Sequence, residues 1–260
     1  MKKIIIVAGA ALALISAAPA LAADLPTATY AKSPVYVPLP IYNWTGFYVG
    51  GHIGGAWTRQ GSTELAPGTA AFPTGTAFGR NNLSGFLGGV QGGFNWQGNS
   101  PFVAGIEGEY SWADVSGTAT TTGLGGFTST VTAKTRDYAL ATGRVGYAAD
   151  NWLFFAKGGG AWGQSSSTGT GITGGGAIFD TTSTSSNRSG WVVGVGVEWG
   201  FAPNWSAKIE YNHIDFGSAN VTVLSSVAGI SNVSTSETVE VVKAGVNYRF
   251  NWGAPVVARY

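Results

Sequence analysis

Nine charged residues are placed where charge is out of pattern with its neighbours: Glu107, Glu109, Arg144, Lys157, Glu198, Lys208, Glu210, Lys243 and Arg249. Each stands at the parity opposite to the aromatic and aliphatic residues of its segment. Four acids and five bases therefore share an interior while the apolar side chains face outward. In a narrow interior such a near-balanced set must pair, because an unpaired buried charge is strongly unfavourable. In a wider one it would line a selective pore. Other chemistry is sparse. With no cysteine there is no disulfide framework and no thiolate metal site. With two histidines, His52 and His213, there is no histidine-rich metal centre. Asp215 follows His213 by two, so both lie on one strand face, but no third group completes a catalytic set. The runs Gly158 to Gly160 and Gly174 to Gly176 are followed by neither a helix nor Gly-Lys-Ser/Thr, so they are not phosphate loops. No catalytic residue, metal ligand or cofactor is assigned, and the chain reads as a non-enzyme.

The elements that hold these residues are strands of period two. Outward sets such as Phe47, Val49, Ile53 and Trp57, or Trp191, Val193, Val195, Val197, Trp199 and Phe201, alternate with glycine and polar residues. Eight such segments are expected, at 47–57, 83–96, 102–112, 135–147, 152–163, 190–201, 205–216 and 238–250. The fourth has the weakest pattern, since Tyr138 and Leu140 fall on the inward side with Arg144. Inward glycines such as Gly50, Gly54, Gly105, Gly159, Gly194 and Gly196 are expected to leave room for long basic side chains and water. Connections alternate in length. Residues 97–101, 148–151 and 202–204 are tight turns of Gly, Asn, Asp and Pro, whereas 58–81, 115–134, 164–189 and 217–237 read as long loops of Ser, Thr and Gly.

Alternating apolar faces with long and short connections in turn define an all-β, eight-stranded antiparallel up-and-down transmembrane β-barrel of a bacterial outer membrane. Aromatic rings mark its two interfaces: Trp57, Trp112 and Trp162 on the outer side, and Trp96, Tyr147, Trp152, Trp199, Trp205, Tyr248 and Phe250 on the periplasmic side. The beginning of the chain agrees. Lys2 and Lys3, the apolar run Ile4 to Ile15 and the site Ala20-Leu21-Ala22 form a cleaved signal peptide over 1–22, too short to span a bilayer as a helix. Removing the two lysines leaves twelve basic and thirteen acidic residues, which gives nucleic acid no basic surface. Residues 23–43 carry four prolines among Tyr30, Tyr36 and Tyr42 and are expected to be an extended periplasmic lead-in, with a cell-wall tether as its functional alternative. The barrel occupies 44–250, and 251–260 form a short extension.

A family resemblance rests on five stretches: Trp44-Thr45-Gly46-Phe47-Tyr48-Val49-Gly50-Gly51, Gly143 to Tyr147, Gly158 to Gly163, Gly194 to Trp199, and Val242 to Phe250. Over residues 44–250 the chain resembles the small outer-membrane β-barrel proteins of alphaproteobacteria, porin-like surface antigens. The resemblance implies an outer-membrane location, surface-exposed loops and a structural contribution to envelope integrity. A narrow porin for small hydrophilic solutes and a hemin-binding surface receptor are the alternatives it leaves open, His52 being the inward imidazole a hemin would use. It also implies contact with outer-membrane lipid and lipopolysaccharide and with the barrel-assembly machinery. That machinery normally reads a terminal aromatic, here either Phe250 or Tyr260.

Overall fold

The computed structural model describes residues 42–65, 73–225 and 229–250. The signal peptide, most of the proline-rich segment and the extension after Phe250 lie outside them. Eight strands close into one antiparallel barrel in sequence order: β1 Gly46–Glu64, β2 Ala77–Gln97, β3 Phe102–Thr122, β4 Thr128–Ala149, β5 Trp152–Ile172, β6 Ile178–Ala202, β7 Trp205–Ser225 and β8 Gly229–Phe250. β1 pairs with β8 from Phe47↔Phe250 to Glu64↔Val233, so no edge is left open. Following paired residues once around, from Tyr48 through Gly93, Glu107, Thr142, Gly159, Val192, Ile214 and Val239, returns to β1 at Thr58, a stagger of ten residues. Such a stagger tilts eight strands by about 40° and leaves an interior that side chains can fill.

The strands are longer than the apolar alternation indicates. β3 runs on to Thr122 and β4 begins at Thr128, so most of the stretch expected as a loop is paired sheet, and only 123–127 connects. β5 and β6 similarly leave 173–177 between them. The cause is threonine. Thr118 meets Thr132 at 3.0 Å and Thr120 meets Thr130 at 3.1 Å, cross-strand hydroxyl pairs of β-branched residues that favour a ladder. Both faces are polar there, so the hydrophobic period disappears although the strand continues. At the other end the turns are tight, residues 98–101, 150–151 and 203–204, and Asp150 takes φ 53°, a left-handed conformation that aspartate tolerates in a short turn.

The outer wall carries a broad apolar band: Phe86 is 84% exposed and Ile53 73%. Exposed rings bound it on both sides. At the turn end Trp152 stacks on its register partner Trp199 at 5.8 Å, Trp205 meets Tyr248 at 5.1 Å, and Phe102 meets Tyr147 at 5.8 Å, with Trp96 and Phe250 exposed beside them. Toward the extended end stand Trp57, Trp112 and Trp162, joined by Trp191, which the sequence reading left out of this ring. The run from Phe47 to Trp57, at about 3.3 Å per residue and a tilt of about 40°, separates the two rings by roughly 25 Å, the height of a lipid-facing band.

The inward glycines do not leave room for water. A Cβ at Gly159 would overlap the Ala141 carbonyl, one at Gly54 the Val242 carbonyl, and one at Gly194 both Asn212 Oδ1 and the Tyr211 carbonyl. Neighbouring strands and side chains close down on them. At the outward Gly143, by contrast, nothing lies within 4 Å. Gly143→Ala should therefore be silent in urea unfolding from lipid vesicles, whereas Gly159→Ala should cost about 2 kcal/mol or more. Val195→Arg on the exposed band should cost about 2 to 4 kcal/mol in the same assay.

Candidate functional site

The interior is filled in three layers. The middle layer is ionic. Lys157 on β5 lies 3.1 Å from Glu107, 2.7 Å from Glu109 and 2.5 Å from Glu210. Lys208 on β7 reaches Glu107 at 2.9 Å, Glu210 at 3.1 Å and Glu109 at 3.6 Å. Lys243 on β8 pairs with Glu109 and, at 3.3 Å, with Glu210. Arg144 on β4 bonds Glu198 at 2.7 Å and approaches Glu107 at 3.6 Å. Four acids meet four bases, and all eight are buried. Most of these contacts, such as those from Lys157, Lys208 and Lys243 to the β3 carboxylates and from Arg144 to Glu198, run between strands that are not neighbours, so they tie separate parts of the wall together as well as neutralising one another.

Neutral polar groups extend this layer. The Tyr48 hydroxyl donates to Glu107 at 2.8 Å and accepts from Arg144 at 3.1 Å. Gln91 donates through Nε2 to Asn247 Oδ1 at 2.6 Å, and Asn247 donates to Glu198 at 2.8 Å. Gln91 Oε1 is then the acceptor for His52 Nδ1 at 2.8 Å, which leaves His52 Nε2 to accept from Ser111 Oγ at 2.9 Å. Both ring nitrogens are occupied and the residue is buried. The inward imidazole that a hemin would need is therefore closed off, and a hemin would have to find another ligand.

Arg249 stands at the turn-end margin of the charged interior. It is buried, but its guanidinium stacks over the Tyr42 ring at 4.1 Å and donates to the Pro203 carbonyl at 3.0 Å, below the carboxylate cluster. It belongs to the lower layer, an aromatic seal at the turn end. Trp44 is 1% exposed and packs with Val103, Leu153 and Phe155, with Tyr42 edge-on at 4.6 Å. Its backbone N–H donates to Gln97 Oε1 at 2.9 Å, and Thr45 is tied to the Gln97 backbone in both directions. Gly200 admits the Tyr42 ring, which a Cβ there would strike. The residues just before β1 thus enter the barrel mouth instead of trailing away from it.

The third layer, toward the extended end, is apolar. All eight strands contribute to it: Ala56, Leu83 and Leu87, Val115, Tyr138 and Leu140, Ala161, Val192, Ile214 and Phe216, and Val239 and Val241. Tyr138 and Leu140, which weaken the alternation of the fourth strand, are members of this layer. A signal for it was present in the sequence, since inward Leu87, Val192, Ile214 and Val241 fall at corresponding heights. Beyond it Arg188 pairs with Glu237 at 3.5 Å. His213 and Asp215 share the outward face, but the imidazole's acid partner is Glu240 at 3.0 Å, while Asp215 accepts the Gly217 N–H at 2.7 Å.

A closed barrel with an apolar outer band and a paired ionic interior defines an outer-membrane β-barrel protein. The outer membrane protein beta-barrel domain model matches residues 8–250, and the chain belongs to that family. It is 28% identical over 260 residues to the 31 kDa outer-membrane immunogenic protein of Brucella melitensis, covering 96% of this chain and all of that protein, and equally so to its Brucella suis counterpart. Among solved structures it is similar in fold to the outer membrane protease OmpT of Escherichia coli and to OprG of Pseudomonas aeruginosa. Each has a TM-score of 0.50 at 9% identity, covering 79% of this chain and 97% of that one. The protein is located in the outer membrane.

Glu107 touches Arg144, Lys157 and Lys208 together, so Glu107→Gln should cost about 3 to 5 kcal/mol in unfolding from vesicles, the penalty of leaving buried cations short of an anion. Arg249→Gln, at the seal, should cost clearly less. Equal losses would place Arg249 back in the network.

Proposed function

We propose that this protein is a closed surface barrel that contributes mechanically to envelope integrity and displays its extended end outside the cell. The observation that carries this reading is the filling of the interior: an ionic layer of four acids and four bases lies between two apolar layers. A conducting barrel needs a continuous file of water past polar walls. Here Leu87, Tyr138, Leu140, Val192, Ile214 and Val241 support closure on one side and Trp44, Leu153 and Phe155 on the other. The extended strands are assigned to the outside because barrels of this class place short turns in the periplasm and longer segments at the surface. The exposed Ser and Thr of those segments are what the exterior of the cell would meet, in keeping with the immunogenic relatives. The reading gives the barrel no chemical step to perform.

Single-channel recording in planar bilayers tests it. Purified protein should insert and show little or no steady current. Glu198→Ala, which removes the nearer carboxylate from Arg144, should raise leak current and lower stability together. A large, stable, ion-selective conductance in the unaltered protein, merely retuned by that substitution, would replace the closed barrel with a narrow porin.

A further inference from the structure

The closure that leaves no edge open holds around the apolar band and stops at the outer ring of tryptophans, where the wall parts at two seams. β6 and β7 are paired from Ala202↔Trp205 up to Trp191↔Asp215 and no further, although β6 continues beside β5 to Ile178 and β7 beside β8 to Ser225. β2 and β3 likewise part above Ser84↔Ser116, while β2 continues beside β1 to Ala77 and β3 beside β4 to Thr122. Toward the extended end the ring is therefore two four-stranded sheets, β7–β8–β1–β2 and β3–β4–β5–β6.

The β6–β7 seam has a local cause. The ladder would next bond Ser189 to Gly217, but Gly217 takes φ 63° and gives its N–H to Asp215 Oδ1 at 2.7 Å, and the β7–β8 register shifts between Asp215 and Ser218. A bulge of this kind bends its own strand and ends pairing on that side. β6 stays straight, its register with β5 unbroken from Trp152↔Trp199 to Gly171↔Asp180.

Which groups of β6 face the seam follows from one bond: the Gly200 N–H donates to the Asn151 carbonyl, on the β5 side, at 2.8 Å. The direction of N–H and C=O alternates along an antiparallel strand, so even-numbered residues of β6 are bonded to β5 and odd-numbered ones face β7. Above Trp191 the latter are Ser189, Asn187, Ser185, Ser183 and Thr181. Among the described residues no backbone bond reaches them from across the seam. This edge runs for roughly 26 Å. It carries none of the devices that blunt an edge: no lysine, proline or bulge lies between 181 and 189, and Arg188 is buried and paired with Glu237. A row of main-chain donors and acceptors in ladder spacing is matched by another extended backbone. The side chains of Ser183, Ser185, Asn187 and Ser189 beside it are exposed, small and uncharged, so they admit Ser, Thr and Val and offer an ion no partner.

We propose that residues 181–189 of β6 accept an extended, low-charge polypeptide segment from outside the cell, which adds as an antiparallel strand and continues the β6–β7 ladder past Trp191↔Asp215. The proposal rests on the extended end facing outward.

The probe is a labelled peptide with the sequence of Ser218 to Ser225, the part of β7 beyond its paired stretch with β6. Fluorescence anisotropy with the full barrel in nanodiscs should show saturable binding above that of empty nanodiscs, and hydrogen exchange should show added protection at Ser183, Ser185, Asn187 and Ser189. Ser185→Pro removes one seam-facing N–H and leaves the β5 ladder whole, so it should weaken binding roughly tenfold or more, while Ser185→Ala should not. The peptide N-methylated throughout, unable to donate, should not bind. Heat-modifiable gel mobility checks that each variant is a folded barrel. Undiminished binding to folded Ser185→Pro, binding of the N-methylated peptide, or no saturable binding at about 1 mM peptide overturns the proposal. Protection of the same four residues without peptide, fading on dilution, would put a second copy of this chain on the edge and overturn it equally. A nanodisc has no sidedness, so these results are independent of orientation. Labelling of a tag inserted at Gly174 on intact cells reads orientation separately.

Discussion

Eight ionised side chains at mid-height in a closed ring of strands have to neutralise one another, and the rest of the structure follows from that requirement. Glu107, Glu109, Glu198 and Glu210 meet Arg144, Lys157, Lys208 and Lys243 at the centre of a barrel whose outside is hydrocarbon. Buried ion pairs add little net stability compared with apolar packing, because desolvation offsets most of the attraction. Their contribution here is to specify which face of the strands from β3 to β8 points inward. Turning the strands inside out would set each lysine or arginine in lipid at a cost of about 2 to 4 kcal/mol. A slip of one residue in the pairing of β4, β5, β7 or β8 would do the same to that strand.

The layers above and below make the arrangement self-consistent. Ions bind one another strongly only where water is scarce. The apolar layer centred on Leu140, Ile214 and Val241 and the seal built by Trp44 and Phe155 supply that condition from either end. The seal draws on residues before the first strand, so the entering chain is part of the interior. Arg249 follows the same logic. At the turn-end margin of the carboxylates, an aromatic face and a backbone carbonyl help to hold it.

Much of this was legible in the sequence because parity is a direct readout of a surface with two solvents. Val195 between Gly194 and Gly196, or Tyr248 between Asn247 and Arg249, can be assigned to a face by inspection, and the eight strands follow. What parity could not reveal was anything outside the contrast between lipid and lumen. Beyond the apolar band both faces of a strand are polar, so the threonine ladders of β3 and β4 looked like loops. Glycines at 54, 159 and 194 looked like open space, whereas the backbone of the adjacent strand lies against them. The placing of Arg249 against an aromatic ring at the margin of the ionic cluster depends on height along a tilted wall, which follows from register and not from alternation.

The central claim is that the interior charges act as one balanced unit, and a double-mutant cycle on Glu109 and Lys243 tests it most directly. Removing both, as Glu109→Gln with Lys243→Met, leaves three acids and three bases. Unfolding from lipid vesicles should show each single change strongly destabilising and the pair recovering most of the loss, with a coupling on the order of 2 kcal/mol. Losses that simply add would show the charges to be individually solvated, in a lumen that holds water.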